Sequence, residues 1–210
     1  GLTVAPLTSA LAAGNRALLK PSEYVPETSA LFAEVVPKYF SHEEVAVVTG
    51  GEDIGQEFAE LPFDHLLFTG STRVGAKVMQ SASKNLVPVT LELGGKSPVI
   101  IGRSANLELA STRLAFGKFL NGGQLCLSPD YVLVPQELEE QLIGRVIREA
   151  QSMYPNVTEN TDYTGVFDEK HFARLQSYVD DAVAKGAKLT IVGADQSRAL
   201  TGSDNRRMPL

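Results

Sequence analysis

Among 210 residues there is one cysteine, Cys126. An intrachain disulfide and a multi-cysteine zinc site are thereby excluded, and a reducing, cytoplasmic setting is expected. Positive charge is scarce too: 19 Lys and Arg stand against 25 Asp and Glu, a formal net charge of -6. Such a balance argues against a general nucleic-acid binder, whose affinity rests on Lys and Arg contacts to phosphates, and against docking on anionic membranes. No apolar run reaches the roughly 20 residues of a membrane-spanning helix. The opening residues, Gly1-Leu2-Thr3, do not read as a basic-then-apolar leader. Internal repeats and low-complexity tracts are also missing, and His42, His65 and His171 show no metal-ligand spacing. With no initial Met and an equally abrupt end at Met208-Pro209-Leu210, the sequence is expected to be part of something longer.

Hydrophobic residues make up 43% of the chain and charged residues 21%, ordinary for a globular protein and too apolar for disorder. At 22.6 kDa there is room for one large domain or two small ones. Short β-type runs at 17–20, 45–48, 65–69, 87–91, 98–101, 131–134 and 188–192 alternate with helical patterns at 27–36, 72–83, 107–120, 136–153 and 169–185. Within 72–83, Val74, Val78, Met79 and Ala82 fall on one helical face. Gly14 and Asn15 close a first helix and Pro26 opens the next, whereas 193–207 is loop-like. Alternation of this kind predicts an α/β fold with a mostly parallel sheet. The register changes near 92–100, which divides the chain into two pieces. The strand–helix pairs before that point suit a nucleotide site at the carboxyl ends of the strands.

Four segments could carry chemistry. Gly70 turns a strand into a helix whose first N–H groups, from Ser71 and Thr72, would face an anion such as a pyrophosphate. By itself the segment reads first as a Ser/Thr-capped helix after a strand. Lys20-Pro21-Ser22-Glu23 follows the strand at 17–20. There a carboxylate can accept hydrogen bonds from ribose hydroxyls and repel a 2′-phosphate, or the segment is a solvated proline turn. Glu92 sits between Leu91 and Leu93 at a strand end, before Gly94 and Gly95. Partial desolvation would raise its pKa toward values useful to a general base; the alternative is a surface glutamate beside a turn. Finally, Asn121-Gly122-Gly123-Gln124 leads to Cys126. A lone cysteine is commonly a buried packing residue, but such a loop suggests close backbone approach and donors for a thiolate or an oxyanion.

Taken in order, Lys20-Pro-Ser-Glu23, Phe68-Thr-Gly-Ser-Thr-x-x-Gly75, Leu91-Glu-Leu-Gly-Gly-Lys96 and Gly123-Gln-x-Cys126 resemble the aldehyde dehydrogenase superfamily. The 34-residue step from Glu92 to Cys126 and the segment Leu11-Ala-Ala-Gly-Asn15 are similar as well. Cys126-Leu-Ser-Pro-Asp-Tyr-Val-Leu-Val-Pro135, with no arginine shortly after the cysteine, resembles the branch acting on hydrophobic and aromatic aldehydes, coniferyl and fatty aldehyde dehydrogenases among them. The resemblance implies a Rossmann-like NAD(P)-binding part over 1–93, followed by the start of a thiol-bearing catalytic domain over 94–210. It implies Cys126 as nucleophile and Glu92 as the base activating water. It places Lys20, Ser22, Glu23, Gly70, Ser71, Gly75, Leu93 and Gly94 around the cofactor. Glu23 favours NAD, with NADP possible, and no metal is implied. A small-molecule aldehyde is the implied substrate and a homodimer or homotetramer the implied assembly.

Three family features are absent from this sequence. A proline-tryptophan-asparagine segment supplying an oxyanion donor would precede Gly1. A glutamate-x-phenylalanine-glycine-proline segment touching the nicotinamide ribose, and the C-terminal dimer contacts, would follow Leu210. Losing one oxyanion donor costs roughly 10²–10³ in rate, so the chain alone is expected to turn over poorly. A CoA-acylating relative is disfavoured by Glu92, and a non-catalytic nucleotide-binding relative by Glu92 and Cys126 together.

Overall fold

Residues 1–157 and 159–192 are described by the computed structural model, so the expected loop at 193–207 lies outside the described residues. Contacts divide the chain into two units, Gly1–Leu93 and Gly94–Leu210. The first unit runs α1 (Val4–Ala12), β1 (Ala17–Leu19), α2 (Pro26–Val35), β2 (Val45–Val47), α3 (Glu52–Ala59), β3 (Leu66–Thr69), α4 (Thr72–Ser83) and β4 (Val89–Glu92). Gly14, at φ 80°, stops α1, and Asn15 N–H donates back to the Ala10 carbonyl at 3.0 Å. Pro26 is the first residue of α2, where its missing N–H costs nothing.

β1 pairs in parallel with β2, from Ala17 opposite Val45 to Leu19 opposite Val47. β3 pairs in parallel with β4, from Leu66 opposite Val89 to Thr69 opposite Glu92. Parallel neighbours require a crossover, and α2 and α4 supply one for each pair. Ala59, Leu66, Ala82 and Val87 form a buried cluster against which Phe58, Phe63, Val78 and Val89 pack. The predicted face of α4 thus supplies Val78 and Ala82 to the core. α3 escaped the periodicity reading because Gly55 interrupts it and Ile54 and Phe58 are its only large apolar residues.

The second unit runs β5 (Ser97–Ile100), α5 (Leu107–Phe119), a 3₁₀ turn (Leu120–Gly123), β6 (Pro129–Leu133), α6 (Gln136–Met153) and α7 (Glu169–Ala184). β5 and β6 are parallel, and the register jumps from Ser97 opposite Pro129 to Pro98 opposite Tyr131, leaving Asp130 as a bulge. Asn106 caps α5 by accepting from Leu109 N–H at 3.1 Å. Small buried residues, Ser111 and Ala115, let α5 lie close against its surroundings.

The chain is therefore α/β as expected, with its parallel strands in three pairs among the described residues. One expected strand is corrected: 188–192 forms no ladder. Thr190 and Val192 instead line a groove with Val132, Leu142 and Val146. β-propensity reflects fit to a pleated, half-buried surface, and pairing is decided by neighbours that the pattern does not contain. No helix among the described residues is long and apolar enough to cross a membrane.

Candidate active site

Lys20 lies just past the carboxyl end of β1. Its side chain is only 11% exposed, and its Nζ donates to Glu23 Oε2 at 2.7 Å. Gly55 of α3 lies beside it, at a distance where even a Cβ would make only an ordinary contact, 3.7 Å from Lys20 Nζ. Chiefly through the Lys20 hydrogen bond, the Glu23 carboxyl is held below the usual carboxylate range. Ser22 shapes the same turn: its Oγ accepts from Tyr24 N–H at 3.2 Å, and its carbonyl accepts from the buried Ser29 Oγ at 2.9 Å. The outcome is an ionised carboxylate, 38% exposed, oriented at the edge where α/β proteins bind ligands.

β3 and β4 bring the second and third candidate segments together. Gly70 N–H donates to the Glu92 carbonyl at 3.0 Å, so the turn into α4 is tied to the end of β4. A Cβ at Gly70 would lie 2.5 Å from the tip of the Phe68 ring. Ser71 is the N-cap of α4 and accepts from Val74 N–H at 3.3 Å. Gly75 is buried, and a Cβ there would lie 2.8 Å from Leu93 Cδ2 and 3.7 Å from Leu91 Cδ1. Those contacts account for Glu92. Leu91 and Leu93 point toward α4, and alternation along the strand turns Glu92 the other way. The expected desolvation is corrected accordingly: Glu92 is exposed.

In the second unit three successive residues adopt left-handed backbone, Asn121 at φ 53°, Gly122 at 62° and Gly123 at 73°. Gly122 lies against the Thr164 carbonyl oxygen, leaving no space for a side chain. The chain then turns at Leu125–Ser128, where Ser128 N–H donates to the Leu125 carbonyl at 3.1 Å. Buried Ser128 anchors that turn to α5, its Oγ donating to the Gly117 carbonyl at 3.3 Å. Cys126 stands on the turn and is exposed, as a nucleophile must be and a packing residue need not be.

The loop's side-chain amides are turned to backbone, that of Asn121 to the Gln124 carbonyl at 3.4 Å. Gln124 Nε2 donates to the carbonyls of Asn121 at 2.9 Å and Gly165 at 3.0 Å, and its Oε1 accepts from Phe167 N–H at 3.2 Å. Its amide is thus turned toward the backbone. Gly94 meets nothing within 4 Å of an added Cβ, whereas one at Gly95 would lie 3.2 Å from the Cys126 carbonyl oxygen. Sequence reasoning singled out Gly94 and missed the crowding at Gly95; the doublet was the only available signal. Gly55 and the 164–167 segment carried no local signal. His171 is half-buried on Asp168, the N-cap of α7. Its backbone N–H donates to Asp168 Oδ1 at 2.7 Å and holds that carboxyl below the usual range.

Residues 1–205 match the aldehyde dehydrogenase family. "Probable coniferyl aldehyde dehydrogenase" of Caulobacter vibrioides is 49% identical over 99% of this chain and 43% of its own length. Staphylococcus aureus AldH in a substrate-bound state has 40% identity and a TM-score of 0.82, covering 93% of this chain and 43% of that one. Aldehyde dehydrogenase C of Pseudomonas syringae, complexed with NAD+ and octanal, has 28% identity and a TM-score of 0.82 over 97% of this chain and 42% of its own. The chain spans less than half the length of each. With its motifs in family order and the match running along nearly all of it, the chain belongs to the aldehyde dehydrogenase family.

Proposed function

We propose that this chain forms the dinucleotide-binding and thiol-bearing parts of an enzyme oxidising a hydrophobic or aromatic aldehyde to its acid, with coniferyl aldehyde the leading candidate. The observation that carries the reading is the Cys126 thiol, exposed on a turn that follows three left-handed residues and is anchored through Ser128. The similarity to the Caulobacter protein supports the substrate class.

The residues fit a nicotinamide dinucleotide. Glu23, ionised and oriented by Lys20, offers acceptors for ribose hydroxyls. The capped N-terminus of α4 offers partial positive charge to a pyrophosphate, with Gly70 and Ser71 at its turn. Ser22, Leu93 and Gly94 complete the proposed surroundings, Leu93 by seating α4 at Gly75. When bound, such a dinucleotide supplies the acceptor for a hydride. Cys126, as the thiolate, adds to the carbonyl carbon and holds it on sulfur. Glu92, reachable by solvent, takes a proton from the water that releases the acid. A homodimer or homotetramer is the proposed assembly.

The test is labelling of Cys126 by iodoacetamide with and without NAD+ and coniferyl aldehyde. The expected result is slower labelling with aldehyde and none of that protection from the corresponding acid, together with calorimetric binding of NAD+. Absence of both protection and binding overturns the proposal.

A further inference from the structure

Gln124 is two residues from the thiol, yet every polar atom of its side chain faces backbone. Both N–H groups donate, to Asn121 and Gly165 carbonyls, and the oxygen accepts from Phe167 N–H. A second contact joins the same two stretches independently: Gly122 lies against the Thr164 carbonyl, with no room for a Cβ. The cysteine loop is thus fastened twice to 164–167, across 41 and 43 residues of chain in the Gln124 bonds. Asp168 follows at once and caps α7, so the fastening point is itself fixed by a helix start.

We propose that Gln124 is a positioning residue for the nucleophile, holding the Cys126 loop on the 164–167 segment rather than donating to the reacting oxygen. The proposal rests on the reading of Cys126 as the nucleophile. Ser128 anchors the thiol's turn on its carboxyl side only; on its amino side the chain enters through three left-handed residues, and Gln124 fastens that side, on which the direction of the thiol and hence its reactivity depend.

Two readouts test it in Gln124→Met, which keeps the length and loses the bonds. One is hydrogen exchange at the Phe167 amide; the other is the pH–rate profile of Cys126 alkylation by iodoacetamide. Expected are roughly threefold to tenfold faster exchange at Phe167, the scale of one lost hydrogen bond, and a change of similar size in the alkylation profile. Amides of α6 should keep their protection. Faster Phe167 exchange with an unchanged profile overturns the proposal, as does unchanged exchange. Where α6 loses protection, Gly122→Ala decides by the same two readouts, because its methyl would meet the Thr164 carbonyl and crowd Gln124 Nε2 at 3.2 Å, loosening the same fastening without touching the Gln124 side chain's chemistry. Failure of the nucleophile reading shows separately, as absent aldehyde protection in the unaltered chain.

Discussion

At the scale of single residues, charge and exposure decide what each candidate can do. Glu23 is held ionised by Lys20, and a carboxylate there repels a 2′-phosphate. NADP+ is therefore expected to bind more weakly than NAD+, and Glu23→Gln to narrow the difference, both measured by calorimetry. The pair also has a pH signature. A depressed carboxyl pKa adds stability that is present above the ordinary carboxylate range and lost as pH falls through the lowered value. Lys20→Met keeps the buried stem and removes the charge, so its Tm should fall below the parent's at neutral pH and meet it on acidification. Because Glu23 is 38% exposed, solvent screening keeps that difference small. Burial acts oppositely on Tyr163, raising its phenol above the pH at which a free tyrosine ionises. Its neutral form is the favoured one, so this contribution is complete below that pH and lost in stronger alkali.

At the scale of elements, the join between α4 and β4 is the most demanding. Gly75→Ala sets a methyl against Leu93 Cδ2, the mobile end of a side chain, so that side chain must turn aside. A cost at the low end of overpacking, about 1 kcal/mol, is expected in urea unfolding. Ser71→Ala removes the N-cap acceptor for Val74 N–H, at about 1 kcal/mol. The two substitutions also separate roles. Loss of NAD+ affinity in Ser71→Ala without loss of the helix would place Ser71 at the cofactor, whereas unchanged affinity leaves it as a cap. Periodicity made α4 legible with its bounds intact, because four apolar residues repeat on one face and Ser71 announces the start. It failed for 188–192, where the apolar pattern is real but the partner strand is absent among the described residues.

At the scale of the whole molecule, both units leave large apolar side chains in water. Tyr39 is 77% exposed and Leu86 90% in the first, Ile100 75% and Leu127 73% in the second. Exposed apolar surface of this kind is a driving force for association. Sedimentation velocity should show a mass that rises with concentration, and Leu127→Ser with Ile100→Lys should lower it. A strictly monomeric chain at high concentration would contradict this expectation.

Local pattern alone determined the α/β class, the elements with strong periodicity, and the ordered run of motifs from Lys20 to Cys126. Those features depend on residues a few positions apart, where helix spacing, strand alternation and turn chemistry operate. The tertiary structure decided the rest. Glu92 is exposed because Leu91 and Leu93 are drawn to Gly75; Gly95, not Gly94, is crowded by the Cys126 carbonyl; and the Gln124 amide is turned to Gly165 and Phe167. Each of these depends on a neighbour well separated along the chain, brought within reach only by folding, and no periodicity or motif carries that distance.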